Sequence, residues 1–198
     1  TCSALEILLI NNTLKERNMR ILREETLAVI VDIQERLFPH IAGKEELAKN
    51  LQTLIKGLQI LEVPLKVTEQ YRKGLGETIP ELKELLKGVW NGEKTPFSCC
   101  DDTSFMQEIE GEARKFIVLA GIESHICVLQ TAIDLKALGY IPVVIEDCIG
   151  SRNPENKRIA VNRMLQSGII VSSTESLLFE LCRYSGNDTF KAISKLVK

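Results

Sequence analysis

The sequence predicts an α/β fold: three layers, with a six-stranded, mostly parallel sheet flanked by helices. Three observations carry this. Short apolar runs without alternation recur along the chain, as strands buried on both faces require. Segments with helical apolar spacing lie between them, and that alternation is the pattern of a parallel sheet. The chain has 198 residues, the length of one domain at about 100–200 residues per domain. No repeat or linker interrupts it, so residues 1–198 are expected to form a single domain, with 1–25 as a peripheral N-terminal extension.

The elements follow in order. Leu14 to Leu22 is charged with spaced apolar residues and suggests a peripheral helix. Leu27 to Val31 is a continuous apolar run ending at Asp32, the first strand. Lys44 to Leu61 follows, with Leu47, Leu51, Leu54, Ile55, Leu58 and Leu61 on one helical face. Pro64 to Thr68 is the second strand, and the loop Tyr71 to Thr78 carries Gly74 and Gly76. Pro80 opens a short helix at its first turn, where the missing N–H costs little. Val89 to Lys94 is the third strand, and a helix from Thr103 is expected to stop near Gly111. Phe116 to Gly121 is the clearest buried strand, and a helix runs from Ser124 to Leu138, ended by Gly139. Ile141 to Ile145 is the fifth strand, with its proline best placed near the strand start or at an edge. A helix over Asn153 to Gln166, a last strand Ile169 to Val171, and helices Thr174 to Tyr184 and Thr189 to Val197 complete the chain.

Composition excludes several functions. Twenty-five basic against 27 acidic residues give a net charge of −2. That leaves no broad footprint for nucleic acid and no polybasic membrane patch. Aromatics make up 5%, too few for a base-stacking platform. No stretch of about 18 apolar residues exists to span a membrane. Six cysteines, at 2, 99, 100, 127, 148 and 182, include no C-x-x-C, and His40 and His125 are the two histidines. They read as reduced thiols of a cytoplasmic protein rather than as a zinc site or a disulfide scaffold.

In parallel sheets, ligands bind beyond the carboxyl ends of the strands. Asp32 follows the first strand; Glu69, Gln70 and Tyr71 follow the second; Lys94 ends the third; and Ile122 to Cys127 follow the fourth. No G-x-G-x-x-G or P-loop stands at these ends, so no nucleotide cofactor is expected. Cys127 lies in the first turn of a helix, where a thiolate is stabilised and the thiol pKa lowered. Asp32 as base and Lys94 as positive charge would complete an activated nucleophile. The same residues are equally compatible with a buried thiol and two charges at strand ends.

Four segments resemble the isochorismatase-like cysteine hydrolases: Val31-Asp32-Ile33-Gln34, Thr68 to Gly76, Glu93 to Ser98, and Gly121 to Val128. The likeness covers about residues 26–197. It implies a Rossmann-like topology with Asp32, Lys94 and Cys127 as the catalytic residues. It also implies a non-proline cis peptide at Ile122–Glu123, with the amides of Glu123 and Cys127 as an oxyanion hole. The expected reaction is cleavage of an amide or ester bond of a small-molecule substrate through a thioester. The alternative is a catalytically silent scaffold of the same fold. Gln34, Phe38, Glu69 and Tyr71 are the expected pocket residues. Family members that are nicotinamidases hold a metal with Asp and several His. This chain has no His from Ile41 through Glu123, so no catalytic metal is expected. His125 lies two residues from Cys127, on a different helical face, and is expected to cap or hydrogen-bond structurally. A homo-oligomer is expected from the resemblance.

Overall fold

The computed structural model describes residues 20–198. The expected helix from Leu14 and most of the 1–25 extension lie outside the described residues. The part that is described is not peripheral: Ile21 is buried in the core, and its N–H donates to Glu180 Oε1 at 2.8 Å.

Six parallel strands form one sheet: β1 (Thr26–Val31), β2 (Leu65–Gln70), β3 (Trp90–Lys94), β4 (Phe116–Ile122), β5 (Ile141–Gly150) and β6 (Ile170–Ser172). Their order is β3-β2-β1-β4-β5-β6, so the direction of winding reverses between β1 and β4. The helices are α1 (Lys44–Ile60), the short α2 (Arg72–Leu75) and α3 (Pro80–Lys83), α4 (Thr103–Glu112), α5 (Leu129–Ala137), α6 (Pro154–Gln166), α7 (Thr174–Cys182) and α8 (Asp188–Leu196).

The sheet is covered on both faces, and β1 shows why its sequence is a continuous apolar run. Ala28 and Ile30 pack with α1, α7 and α8, through Leu51, Leu58, Leu178 and Ile193. Leu27, Val29 and Val31 pack with α4, α5 and α6, through Phe105, Leu135 and Met164. Each such side chain contributes about 1.5–3 kcal/mol relative to exposure. Period-two alternation sends neighbours to opposite faces, so both neighbours must be apolar.

Where β1 and β4 lie side by side, Gly121 is paired with Val31. A Cβ on Gly121, whose φ is +134°, would sit 2.1 Å from the Val31 carbonyl oxygen. Only glycine lets the two strands end this close together.

The carboxyl ends of α4 and β5 differ from the sequence reading. Helix α4 runs through Gly111 to Glu112, and Ala113 takes the left-handed cap, with φ +51°. The turn is placed by the tie that starts β4, in which the Lys115 N–H donates to the Glu25 carbonyl. Strand β5 continues five residues past Ile145 through a register shift against β4; its polar Glu146 and Asp147 hid this extension. β6 pairs only with Val143–Ile145, so Pro142 sits near the strand start, outside that ladder. The Asp147 carboxylate accepts from Thr174 N and Oγ1 at the start of α7.

Candidate active site

The strand order reverses between β1 and β4, and their carboxyl ends carry the site. Asp32 follows Val31 directly, in a left-handed conformation with φ +53°. Asp tolerates that region better than most residues. Its N–H donates to the Thr68 carbonyl of β2 at 3.0 Å. Lys94 is the last residue of β3, on the far side of β2. Its ammonium bonds Asp32 Oδ2 at 2.7 Å, with side-chain exposures of 2% and 0%. It also donates to Gln70 Oε1 at 2.7 Å and to the Pro96 and Phe97 carbonyls, both at 3.3 Å. An ammonium has three protons, so Lys94 is fully used. A buried charge needs such a set of partners.

Cys127 reaches the same place from β4. The Ile122–Glu123 peptide is cis. The chain then makes one π turn, Ser124–Val128, before α5. The Glu123 carbonyl accepts from Ile126 at 3.0 Å and from Val128 at 3.3 Å, so neither bond uses the Cys127 N–H. The Ser124 hydroxyl caps nothing: it is buried and is the one such side-chain group without a partner among the described residues. Cys127 is 6% exposed. The Glu123 side chain turns away to Arg152, accepting from its N–H at 2.9 Å and its Nε at 3.0 Å. His125 Nδ1 meets Ser151 Oγ at 2.9 Å, a structural contact.

The electrostatics correct one expectation. Burial pushes the Cys127 thiol above its ordinary pKa. The Asp32 carboxylate, a facing negative charge and hydrogen-bond acceptor, adds to the effect, and Lys94 opposes both without overcoming them. The resting thiol is therefore protonated at neutral pH, not activated by the helix start. Burial alone works to lower the Lys94 pKa, but Asp32, Cys99 and Cys127 together outweigh it and Lys94 is held above its ordinary value. Cys99, fully buried, is pushed up to about 11 by burial and by Asp32. Cys100 is pushed up to about 12, by burial first and Cys99 next.

Asp32, Lys94 and Cys127 are brought together; the expected pocket residues are not. Gln34 is buried with its amide committed to main chain. Its Nε2 donates to the Gln70 and Gly76 carbonyls, and its Oε1 accepts from the Gln70 N–H. Phe38 packs in the apolar cluster on the α1 side of the sheet. Glu69 points to the face of β2 opposite Thr68 and Gln70. There it accepts from Thr78 N and Oγ1, both at 2.6 Å, and pairs with Arg72. Tyr71 is half exposed, its ring lying against Gly74. Gln70, expected among the polar groups at the strand ends, belongs to the Asp32–Lys94 network, and so do Thr68 and Cys99, which the sequence reading does not single out as site residues. The alternation of β2 was the signal that could have found Thr68. Among the described residues, no three His, Cys, Asp or Glu side chains cluster as a metal site would need.

A family model described as the isochorismatase domain matches residues 26–176. The chain belongs to the isochorismatase family. It is 35% identical over 180 residues to isochorismatase domain-containing protein 2A of Mus musculus, covering 90% of this chain and 85% of that one. A solved structure described as the MAR1 ribonuclease from Caenorhabditis elegans superposes with a TM-score of 0.85 at 34% identity, covering 90% and 92% of the two chains. The YcaC product of Escherichia coli, described as an octameric hydrolase of unknown specificity, shares the fold with a TM-score of 0.85. It is 21% identical and covers 90% of this chain and 89% of that one. No helix among the described residues is long and apolar enough to cross a membrane.

Proposed function

We propose that this isochorismatase-family chain is a cysteine hydrolase that cleaves an amide or ester bond of a small molecule through a thioester on Cys127. One observation carries the reading: a buried carboxylate stands between a saturated ammonium and a buried thiol, Asp32 with Lys94 and Cys127. Because the resting thiol is neutral, its proton moves to Asp32 as sulfur attacks the substrate carbonyl carbon. Lys94 keeps a positive charge beside Asp32 throughout. The developing oxyanion is held by the N–H groups of Glu123 and Cys127; one such donor contributes ~3–4 kcal/mol. Asp32 then gives the proton to the leaving nitrogen or oxygen as the C–N or C–O bond breaks. Water gives a proton to Asp32 as its oxygen attacks the thioester carbon; the C–S bond breaks, the acid is released, and Asp32 returns the proton to the Cys127 sulfur. Proton transfer of this kind is worth about 10²–10⁴-fold.

The test is intact-mass analysis after incubation with a panel of activated small esters and amides. An acyl adduct on Cys127 that forms and decays in the native protein, and is absent in Cys127→Ala at unchanged melting temperature, is the expected result. No adduct and no turnover across the panel would favour the scaffold reading. The net charge of −2 favours a small molecule over a polyanion. The described cysteines are free thiols, which suits the cytoplasm. We further propose a homo-oligomer, as the YcaC protein is; light scattering at micromolar concentration checks it.

A further inference from the structure

We propose that Thr68 is a positioning residue for Asp32: its hydroxyl, itself oriented by Cys99, holds Oδ1 so that the carboxylate meets Cys127 in one orientation and with a fixed acceptor strength. This rests on the reading of Asp32 and Cys127 as base and nucleophile. Thr68 is buried on β2. Its Oγ1 lies 2.8 Å from Asp32 Oδ1 and 3.8 Å from Cys99 Sγ. A threonine hydroxyl has one proton, and an ionised carboxylate can only accept. The Thr68 proton therefore goes to Asp32. The contact with Cys99 then requires the thiol as donor, and burial keeps that thiol protonated at neutral pH.

The result is a directed chain, Cys99 to Thr68 to Asp32 Oδ1, opposite the Lys94 bond to Oδ2. Donors from β2 and β3 thus fix the two oxygens of a carboxylate that belongs to neither strand. The titratable groups facing Asp32 are Lys94, Cys99 and Cys127. Thr68 does not titrate, yet it shares the charge on which the thiol depends. Hydrogen bonds to charged groups are roughly twice as strong as neutral ones. Without this bond more negative charge is left for the Cys127 thiol to meet, and the thiol keeps its proton more tightly.

The experiment follows the alkylation rate of Cys127 by iodoacetamide, resolved by peptide mass, in the full chain. Below the thiol midpoint the rate tracks the thiolate fraction. In Thr68→Val, which keeps the branched shape and removes the donor, the rate is expected to fall about threefold or more at any given pH between about 7 and 9, half a unit of thiol pKa being about threefold in thiolate. Thr68→Ser is expected to restore it. Asp32→Asn is expected to raise the rate, and adding Thr68→Val to Asp32→Asn to change it no further, because sites acting through one group are not additive. If Asp32→Asn raises the rate but Thr68→Val leaves it unchanged, the inference is overturned and the base–nucleophile reading stands. An equal Thr68→Val effect in both backgrounds also overturns it, since the hydroxyl would then act through packing. If Asp32→Asn itself changes nothing, the underlying reading falls with it. Should Thr68→Val not fold, Cys99→Ala decides: a smaller slowing supports the chain, and an unchanged rate overturns it.

Discussion

Asp32 and Glu69 are near-twins in chemistry and differ in everything that follows from their surroundings. Both carboxylates are buried at the carboxyl ends of adjacent strands. Each accepts from a threonine hydroxyl, Thr68 or Thr78, and each pairs with a cation, Lys94 or Arg72. Glu69 is spent on its own loop: the Thr78 N–H and hydroxyl take Oε1, Arg72 takes Oε2, and the segment after β2 is closed down. Asp32 lies on the other face of β2, where Cys99 and Cys127 also stand. The same inventory makes a clasp on one face and, on the other, the group of side chains proposed above as the catalytic centre. What a carboxylate does here is decided by whether a thiol or a main-chain N–H lies beside it.

The largest expected difference between the two is the cost of removing the cation. Lys94→Met leaves Asp32 buried and short of its principal partner. Breaking a buried pair in this way costs about 3–5 kcal/mol, read as a lower urea midpoint. Arg72→Met is expected to cost about 1 kcal/mol, because the Arg72 side chain is 36% exposed and Thr78 still serves Glu69. Equal costs would break the comparison. The next difference is chemical. Glu69→Gln is expected to lose about 1–3 kcal/mol of stability with the Cys127 alkylation rate unchanged, whereas Asp32→Asn changes that rate. A rate change in Glu69→Gln would mean the two faces are coupled.

The smallest effect is a pH dependence. Burial pushes Glu69 up, but the hydrogen bonds from Thr78, Arg72 and Asn91 together outweigh it and hold its carboxyl below the ordinary value. A carboxyl lowered on folding contributes stability that is fully present above its unfolded value of ~4.3. That contribution is lost as pH falls through the depressed folded value. The urea midpoint of the native protein should therefore drop more steeply than that of Glu69→Gln between about pH 5 and about pH 3. Parallel curves would show that the clasp does not depend on the charge.

The choice of Glu69 as a pocket residue shows where sequence reading stops. The apolar pattern ends the strand at Thr68 and puts Glu69 after it, and a residue after a strand has no assigned side. The strand continues to Gln70, so Glu69 has a side, and it is the wrong one for the site. Thr68 and Gln70 gain theirs by the same step. The thiol of Cys127 failed differently. A helix start favours an anion, and that much is local and legible. Burial raises the thiol pKa, and so does the charge on Asp32, a residue nearly a hundred positions away in the chain.

The sequence by itself determined the layered α/β plan, because a strand buried on both faces must be apolar without interruption and a surface helix must repeat near 3.6. It also determined which residues stand at the carboxyl ends of β1 and β4, since there the strand end follows from where the apolar run stops. Only the tertiary structure decided which of those ends meet. The reversal between β1 and β4, the close approach allowed by Gly121 and the face on which each β2 side chain falls are properties of the packed sheet. They set which donors each carboxylate meets, and no local pattern in the chain contains them.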